Sequence, residues 1–189
     1  MALTDAGFTE VRELLDADGI RRSLRRMARE IVEANGGTAG LAIVGIHTGG
    51  VHLAKRLIAA IEEDEGCRPC EGMIDITLYR DDVLTGLPHP IVGRTELGFD
   101  IDGSRVVLVD DVLYTGRTVR SAIDALIDYG RPKTVGLCVL VDRGLRELPI
   151  QPDVVGMSLT TRRNQSVKVE LVDGGFDWDR AVLREREEA

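Results

Sequence analysis

The sequence predicts an α/β fold with a mainly parallel central sheet flanked by helices. Short apolar runs typical of buried strands alternate along the chain with segments whose apolar residues recur at helical spacing. Three polar loops follow such runs, and the carboxyl ends of parallel strands meet at one edge of a sheet. A ligand site is therefore expected at that edge.

The first half of the chain predicts two helices and two strands. Ile20, Leu24, Met27 and Ile31 recur at helical spacing, and this helix is expected to end at Asn35-Gly36-Gly37. The later elements are a buried strand at 41–46, a polar loop at 47–50, a helix through residues 53–61 and a strand at 73–79.

The second half begins with a segment, about 81–103, that is polar and rich in glycine and proline and predicts a flexible flap or hairpin. Val106 to Val109 then predicts a buried strand that ends in Asp110-Asp111. A helix is expected from about Thr118 to Tyr129, and Val135 to Val141 supplies another strand.

Composition limits the classes of protein that need to be considered. The 189 residues, 43% hydrophobic and 30% charged, predict a single domain spanning 1–189. The net charge of -8 argues against nucleic-acid binding by the whole surface, but it allows a local basic face. With no signal-peptide pattern and no apolar run of roughly 20 residues, we expect a cytoplasmic protein without membrane contact.

Several features predict no chemistry of their own. Cys67 and Cys70 form a CxxC pair, but no second pair of ligands follows at the spacing of a metal site, which favours incidental thiols. The chain has no GxxxxGK[ST] motif, which excludes a P-loop ATPase. Phe176 and Trp178 are expected to anchor the C-terminal segment on the core.

The segment from Asp110 to Thr118 is the strongest candidate for a site. It places two carboxylates at a strand end, then a loop with hydroxyl groups and a glycine, then the start of a helix. Backbone N–H groups around Thr115-Gly116-Arg117-Thr118, aided by the positive end of the helix, can cradle a phosphate. Asp110 and Asp111 can accept hydrogen bonds from vicinal sugar hydroxyls. One loop therefore has groups for both a sugar and its phosphate.

This segment, with the wording VDDVLYTGRTVRSAIDAL, resembles the donor-binding motif of type I phosphoribosyltransferases. It is most similar to the pyrimidine-operon attenuator proteins that have uracil phosphoribosyltransferase activity. IDITLYRDD at 74–82, GRP at 130–132 and VLVDRGLRELPI at 139–150 extend the resemblance over nearly the whole chain. The resemblance implies a type I phosphoribosyltransferase fold with a flexible hood or flap, in which the flap at 81–103 closes over the site.

The resemblance also implies roles for individual residues toward the ribose 5-phosphate pyrophosphate donor (PRPP). Asp110 and Asp111 would be the catalytic residues, and Mg²⁺ would arrive on the pyrophosphate rather than occupy a dedicated protein site. The residues assigned to PRPP or the nucleotide are His47, Thr48, Arg80, Asp110, Asp111, Val112, Leu113, Tyr114, Thr115, Gly116, Arg117 and Thr118. The residues assigned to the base are Arg143 and Val167.

The chain departs from the family pattern in the loop that would hold pyrophosphate, His47-Thr48-Gly49-Gly50. Family members commonly have basic side chains in this loop, often an arginine where this sequence has Gly49. Neither His47 nor Gly49 supplies the permanent positive charge of an arginine, and Gly49 offers only backbone donors. Weaker phosphate binding here would reduce transfer without changing the fold.

A second surface is basic. Five arginines of the first helix lie opposite its apolar residues at 100° per residue, and such a face suits RNA phosphates and unpaired bases, although a solvated face or an oligomer contact explains it equally well. In the family that the chain resembles, this helix and the positions corresponding to Arg143, Arg146 and Thr160 to Lys168 bind a stem-loop in messenger RNA. The residues assigned to RNA are Arg21, Arg22, Arg25, Arg26, Arg29, Arg146, Arg162 and Lys168.

Three functional hypotheses follow. The first is a bifunctional protein that converts uracil and PRPP to UMP and pyrophosphate and binds pyrimidine-gene mRNA when UMP or UTP occupies the site. The second is a nucleotide-sensing RNA-binding regulator without catalysis. The third is a type I phosphoribosyltransferase for another base without an RNA role. The resemblance also suggests a homodimer or a higher even homo-oligomer.

Overall fold

A computed structural model describes residues 7–76 and 95–186. The strands are β1 (Phe8–Leu15), β2 (Leu41–Ile46), β3 (Cys70–Ile74), β4 (Glu96–Leu97), β5 (Arg105–Leu113), β6 (Thr134–Asp142), β7 (Val154–Ser158), β8 (Gln165–Glu170) and β9 (Arg180–Arg186). The α-helices are α1 (Ala17–Asn35), α2 (Gly49–Glu65) and α3 (Arg117–Ile127), and a 3₁₀ turn covers Val172–Gly174.

The central sheet has six strands in the order β4-β3-β2-β5-β6-β7. The adjacent strands β3, β2, β5, β6 and β7 pair in parallel. The two-residue β4 is antiparallel to its neighbour β3. The prediction of an α/β fold with a mainly parallel sheet is confirmed. Because β2, β5 and β6 are adjacent, the loops that follow them lie at one edge.

The two faces of this sheet bury separate apolar clusters. Leu41 and Ile43 of β2 belong to the cluster that contains the apolar residues of α1 and α2. Ala42, Val44 and Ile46 belong to the cluster that contains those of α3. Successive side chains of a strand point to opposite faces, so one fully buried strand fills both layers. This explains why β2 is apolar throughout.

Local residue chemistry sets the ends of α1. The Asp16 carboxylate accepts a hydrogen bond from the Gly19 N–H at 2.6 Å and caps the first turn. Gly36 ends the helix in the left-handed conformation, with φ of 71°. The predicted stop at Asn35-Gly36-Gly37 is confirmed, whereas the helix begins three residues before Ile20 because its first turn is polar.

A second, antiparallel sheet with the order β1-β9-β8 joins both ends of the described chain and was not predicted. Most side chains of β1 are exposed, and its sequence FTEVRELL lacks a clear alternation of apolar and polar residues. Arg180 ties the three strands together, because its guanidinium donates to Glu10 at 2.8 Å and to Glu170 at 2.6 Å. Only the pairing of distant segments makes this sheet recognisable.

The loop before β9 contradicts one prediction. Phe176 is 38% exposed and Trp178 is 63% exposed, so the prediction that they anchor the C-terminal segment on the core is wrong. Ala181, Val182 and Leu183 of β9 are buried instead, and Ala181 belongs to the apolar cluster that contains the residues of α1 and α2. The sequence does not reveal this, because aliphatic and aromatic residues are equally suited to burial.

The predicted flap lies mainly outside the described residues, which resume at Thr95. Its last part, 95–103, packs on the sheet: Glu96–Leu97 pairs with β3, and Ile101 is buried. The predicted strand at 73–79 overlaps β3, which spans Cys70–Ile74, and residues 77–79 lie outside the described residues.

Two glycines near the junction of β2 and α2 lie so close to neighbouring backbone that no other residue fits. A Cβ atom on Gly50 would lie 2.0 Å from the carbonyl oxygen of Val109, and one on Gly45 would lie 2.5 Å from the Cα of Val51. In both cases the obstacle is backbone, which cannot move aside as a side chain can. These glycines therefore set how closely α2 and its loop approach the sheet.

We predict that Gly50→Ala lowers the free energy of unfolding by roughly 1–3 kcal/mol, because the added methyl group overpacks the contact with β5. Alanine's higher helix propensity acts in the opposite direction by about 1 kcal/mol or less. Urea denaturation measures the net effect. Gly98→Ala is the matched control, since a Cβ there meets nothing within 4 Å. Equal stability of the two variants would contradict the steric argument.

Candidate active site

Three loops meet at the carboxyl edge of the central sheet. Gly45 of β2 pairs with Val109 of β5, and Val109 pairs with Cys138 of β6, so the three strands run side by side toward this edge, where β5 and β6 extend beyond the end of β2. The loops are His47–Gly50, the segment after β5 that leads into α3, and the segment after Asp142. The sequence predicted the convergence of these loops, and the strand register accounts for it.

Asp110 and Asp111 lie within the last residues of β5, which continues to Leu113 rather than ending at Val109. Asp110 is 7% exposed, and its Oδ1 accepts the N–H of Asp111 at 3.0 Å. The carboxylate of Asp111 accepts the N–H of Val112 at 2.9 Å. Each acid therefore has a backbone donor that fixes its orientation.

Burial of this acidic pair raises both pKa values. The pKa of Asp110 is well above its usual range, first because of desolvation and then because of repulsion from Asp111. Desolvation also raises the pKa of Asp111, although hydrogen bonds to its charged form oppose the change. These raised pKa values favour a pair that retains a proton until a ligand supplies hydrogen-bond donors.

The loop His47–Gly50 contacts the acidic pair directly. A Cβ atom on Gly49 would lie 2.4 Å from Oδ2 and 3.0 Å from Cβ of Asp111. An arginine at position 49 would therefore require the Asp111 side chain to move. His47 and Thr48 are exposed at this edge, and the N–H of His47 donates to the carbonyl of Ile74 at 2.9 Å. The presence of glycine at position 49, where family members often have arginine, is thus linked to the position of the Asp111 side chain.

The phosphate loop, Thr115–Thr118, leads into the N-terminus of α3. Gly116 occupies the N-cap in the left-handed conformation, with φ of 93°, and has no side chain with which to cap the helix. The amides of the first turn therefore face the loop, where the helix dipole favours an anion. The Arg117 side chain turns toward Glu147, with Nε at 2.9 Å from its carboxylate.

The loop after β6, residues 143–150, covers the phosphate loop, and we call it the roof loop. The N–H groups of Glu147 and Leu148 donate to the carbonyl of Thr115 at 3.0 and 3.1 Å. A Cβ on Gly116 would lie 3.4 Å from the Cβ atoms of Leu148 and Ile150. No role was predicted for Glu147, Leu148 and Ile150, although they fall within VLVDRGLRELPI at 139–150, one of the segments that carry the family resemblance.

Arg143, assigned to the base, is buried between the site and the small sheet. Its guanidinium carbon lies 4.0 Å from the ring centroid of Tyr114, a cation–π contact. It donates to Thr161 Oγ1 at 3.1 Å and to the carbonyls of Arg162 and Gln165. Burial lowers the pKa of Arg143. Val167, also assigned to the base, lies half-buried on the neighbouring strand β8.

Several arginines of α1 pair with carboxylates of α1 itself or of α2. Arg25 lies 2.6 Å from Glu63, and Arg29 lies 3.0 Å from Asp64, both at the end of α2. Arg21 pairs with Asp18 at 3.0 Å. These contacts neutralise much of the predicted basic face.

Arg22 and Arg26 lie toward β7. Arg22 is exposed, whereas Arg26 bonds to Glu30 and donates to the carbonyls of Val155 and Gly156 at 2.8 and 2.7 Å. Arg26 therefore binds the sheet rather than projecting freely from it.

The other residues assigned to RNA are also engaged. Arg162 pairs with Glu185 at 2.8 Å, and Lys168 pairs with Glu170 at 3.1 Å. Arg146 turns inward, and its side chain is only 14% exposed. An RNA role for these residues stays a prediction, and for Arg146 it would require breaking internal hydrogen bonds. Arg80 lies outside the described residues.

Within residues 7–76 and 95–186, no group of three or more His, Cys, Asp or Glu side chains is arranged to hold a metal ion. Cys67 and Cys70 are free and exposed, and burial raises the pKa of the Cys138 thiol. None of the described helices combines the length and apolar character required to cross a bilayer.

Comparison with known proteins agrees with this geometry. The family model described as "Phosphoribosyl transferase domain" matches residues 10–173. "Bifunctional protein PyrR" from Thermus aquaticus is 56% identical over 179 residues, covering 94% of this chain and 97% of the relative. The protein of that name from Pelotomaculum thermopropionicum is 51% identical over 181 residues, covering 95% and 98%.

Solved structures show the same fold at lower identity. The hypoxanthine phosphoribosyltransferase of Trypanosoma cruzi has a TM-score of 0.70 at 19% identity, covering 94% of this chain and 98% of that one. A hypoxanthine-guanine phosphoribosyltransferase from Bacillus anthracis has a TM-score of 0.63 at 18% identity, covering 80% and 85%. With the acidic pair, the phosphate loop and these similarities together, the chain belongs to the type I phosphoribosyltransferases and, among them, to the PyrR family.

Proposed function

We propose that this protein transfers the phosphoribosyl group of PRPP to uracil, and that UMP or UTP at the same site promotes binding to a stem-loop in pyrimidine-gene mRNA. The observation that carries the enzymatic part is the acidic pair, which is buried beside an uncapped helix N-terminus that suits a phosphate. The identity of 51–56% to PyrR proteins over most of the chain supports the choice of uracil and the regulatory role.

The geometry suggests how each part acts on PRPP. Asp110 and Asp111 accept hydrogen bonds from the ribose hydroxyls, while the backbone amides of the phosphate loop bind the 5-phosphate. The bond from the anomeric carbon to the pyrophosphate oxygen breaks, N1 of uracil bonds to that carbon, and the N1 proton is lost. The anomeric carbon develops oxocarbenium character, so fixed dipoles and exclusion of water provide most of the catalysis.

Mg²⁺ fits the site as a companion of the substrate. The described residues hold two adjacent carboxylates but no third metal-ligating side chain grouped with them. Such a donor set suits a hard cation that keeps phosphate oxygens and water in its shell. When bound, Mg²⁺ would neutralise charge on the pyrophosphate.

A non-catalytic regulator is the second candidate, and the loop His47–Gly50 favours it. Gly49 supplies no cation for the leaving pyrophosphate, and its contact with Asp111 leaves little room for a side chain. In that case the protein binds UMP but does not form it. A transferase for another base is the third candidate. We also propose a homodimer or higher even homo-oligomer in the cytoplasm.

The deciding experiment is a steady-state assay of UMP formation from uracil, PRPP and Mg²⁺. We expect product with uracil and none with hypoxanthine or orotate. In Asp110→Asn/Asp111→Asn, turnover should fall on the order of a hundredfold or more, because the ribose hydroxyls lose charged acceptors. UMP binding without turnover in the wild type would favour the non-catalytic regulator, and product from another base would favour the third candidate.

We predict that Asp110→Asn alone raises the unfolding temperature at pH 7 while it lowers turnover. The folded pKa of Asp110 is raised, so the native state binds its proton more tightly than the unfolded chain does. In the wild type, ionisation of Asp110 therefore begins to lower stability above about pH 4, which is the pKa of this acid in the unfolded chain. The loss is complete once the pH exceeds the pKa in the folded protein. The neutral amide of the asparagine avoids this loss of stability, and its oxygen can still accept a hydrogen bond from the N–H of Asp111.

Thermal unfolding of both proteins across pH measures this difference. The advantage of Asp110→Asn should shrink as pH falls toward the unfolded pKa, because the wild-type acid is then protonated too. An advantage that grows with acidity would contradict the assignment.

The RNA surface is best tested with Arg21→Ala/Arg22→Ala, because Arg26 also supports β7. We expect weaker binding of a stem-loop from a pyrimidine-gene leader, and a salt slope (log K against log salt) shallower by roughly 1.5 for two lost phosphate contacts. Transfer should be unaffected. Arg25→Ala/Arg29→Ala is the control, since these residues face carboxylates of α2. Equal loss in both variants would assign the effect to net charge rather than to a defined surface.

A further inference from the structure

The side chain of Arg146 joins three segments around the candidate site. Its Nε donates to the carbonyl of Ile150 at 2.9 Å, and its Nη1 donates to the carbonyls of Tyr114 at 2.9 Å and Gly144 at 3.3 Å. Its Nη2 lies 2.7 Å from the carboxylate of Asp142. One guanidinium therefore connects the end of β6, both ends of the roof loop and the residue that precedes the phosphate loop.

This arrangement requires arginine in particular. Four acceptors in different directions match the planar fork of a guanidinium, whereas a lysine ammonium is a single point at the end of a flexible chain. The partner carboxylate is itself held in place, because Asp142 Oδ1 accepts the N–H of Gly144 at 2.9 Å. Both charges are largely buried, so the bonds between them are of the strong, charge-assisted kind.

The backbone next to Arg146 has an unfavourable conformation that these bonds can offset. Gly144 and Leu145 are both left-handed, with φ of 73° and 60°. Glycine adopts this conformation freely, but Leu145 does not, because its Cβ is crowded there. Since Arg146 follows Leu145 and reaches back to the carbonyl of Gly144, its side chain stabilises the turn.

The roof loop in turn fixes the phosphate loop. Two of its N–H groups donate to the carbonyl of Thr115, and Leu148 and Ile150 pack beside Gly116. A roof loop that changes its conformation would therefore release Thr115 and Gly116, whose amides and hydroxyl face the 5-phosphate in the proposed function.

We propose that Arg146 is a positioning residue for PRPP, which holds the roof loop and the phosphate loop in their binding conformation before the donor arrives. The proposal rests on the proposed function and gives Arg146 a role other than the predicted contact with RNA. Without these bonds, the loops must be ordered when PRPP binds, and that ordering weakens affinity. The bound state stays the same, so the loss falls on KM for PRPP rather than on kcat.

The test compares Arg146→Met and Arg146→Lys with the wild type in the UMP assay. Loss of several charge-assisted bonds should raise KM for PRPP on the order of tenfold to a hundredfold in Arg146→Met, with a smaller rise in Arg146→Lys. Calorimetric titration with PRPP should show the same loss independently of turnover. Arg68→Met is the matched control, because Arg68 also bridges two carboxylates, Glu62 and Glu71, away from the site.

A second variant separates positioning from a general structural role. Leu145→Gly allows the left-handed turn without strain, so Leu145→Gly/Arg146→Met should recover part of the lost PRPP affinity. Ethylguanidinium should lower KM for PRPP in Arg146→Ala, whose truncated side chain leaves a space that it can occupy, but not in the wild type. Thermal unfolding of each variant separates this effect from a general loss of folding, because a variant that stays folded at the assay temperature owes its higher KM to the loops.

Two results would overturn the inference alone: an unchanged KM for PRPP in an active Arg146→Met variant, or a loss confined to kcat. A wild-type protein that neither turns over nor binds PRPP would instead overturn the proposed function, and this inference with it. A rise in KM that both Leu145→Gly and ethylguanidinium reduce would support it.

Discussion

The close contact between the loop after β2 and the end of β5 is the constraint on which the site depends. Gly50 lies against the carbonyl of Val109, and Gly49 lies against the carboxylate of Asp111, with no room for a Cβ in either place. Parallel pairing of β2 with β5 brings the two segments side by side, and the glycines let them touch. In the proposed function, sugar, phosphate and pyrophosphate groups then reach one short stretch of chain.

The same contact explains why the acidic pair is electrostatically unfavourable in the free protein. The loop and the sheet remove water from Asp110 and Asp111, and desolvation is the largest cause of their raised pKa values. A ligand that supplies hydroxyl donors compensates for the lost water. Buried polar groups that lack such donors reduce stability, and sites that bind ligands commonly accept this cost.

The described arginines show that the position of a charge in the sequence says little about what it contacts. Arg25 and Arg29 share a helix face with Arg21 and Arg22, yet they pair with carboxylates of α2. Arg146 lies in a polar loop and would be expected in solvent, but it turns inward to four oxygen atoms. Net charge and helical periodicity locate a basic surface, whereas burial and pairing decide how much of it remains available.

The sequence by itself determined the layers of the fold and the position of the site along the chain. Strand and helix patterns are local, so the strand at 41–46 and the end of the first helix at Asn35-Gly36-Gly37 were predicted from adjacent residues. Asp110 to Thr118 was predicted for the same reason, because carboxylates, glycine and a helix start adjoin there.

The tertiary structure alone decided the features that depend on pairing between distant segments. These are the small sheet of β1, β8 and β9, the exposure of Trp178, the contact of Gly49 with Asp111, and the hydrogen bonds of Arg146 to Tyr114 and Ile150. No local pattern encodes them, because each is stabilised by groups far apart in the chain that only the folded backbone brings within reach.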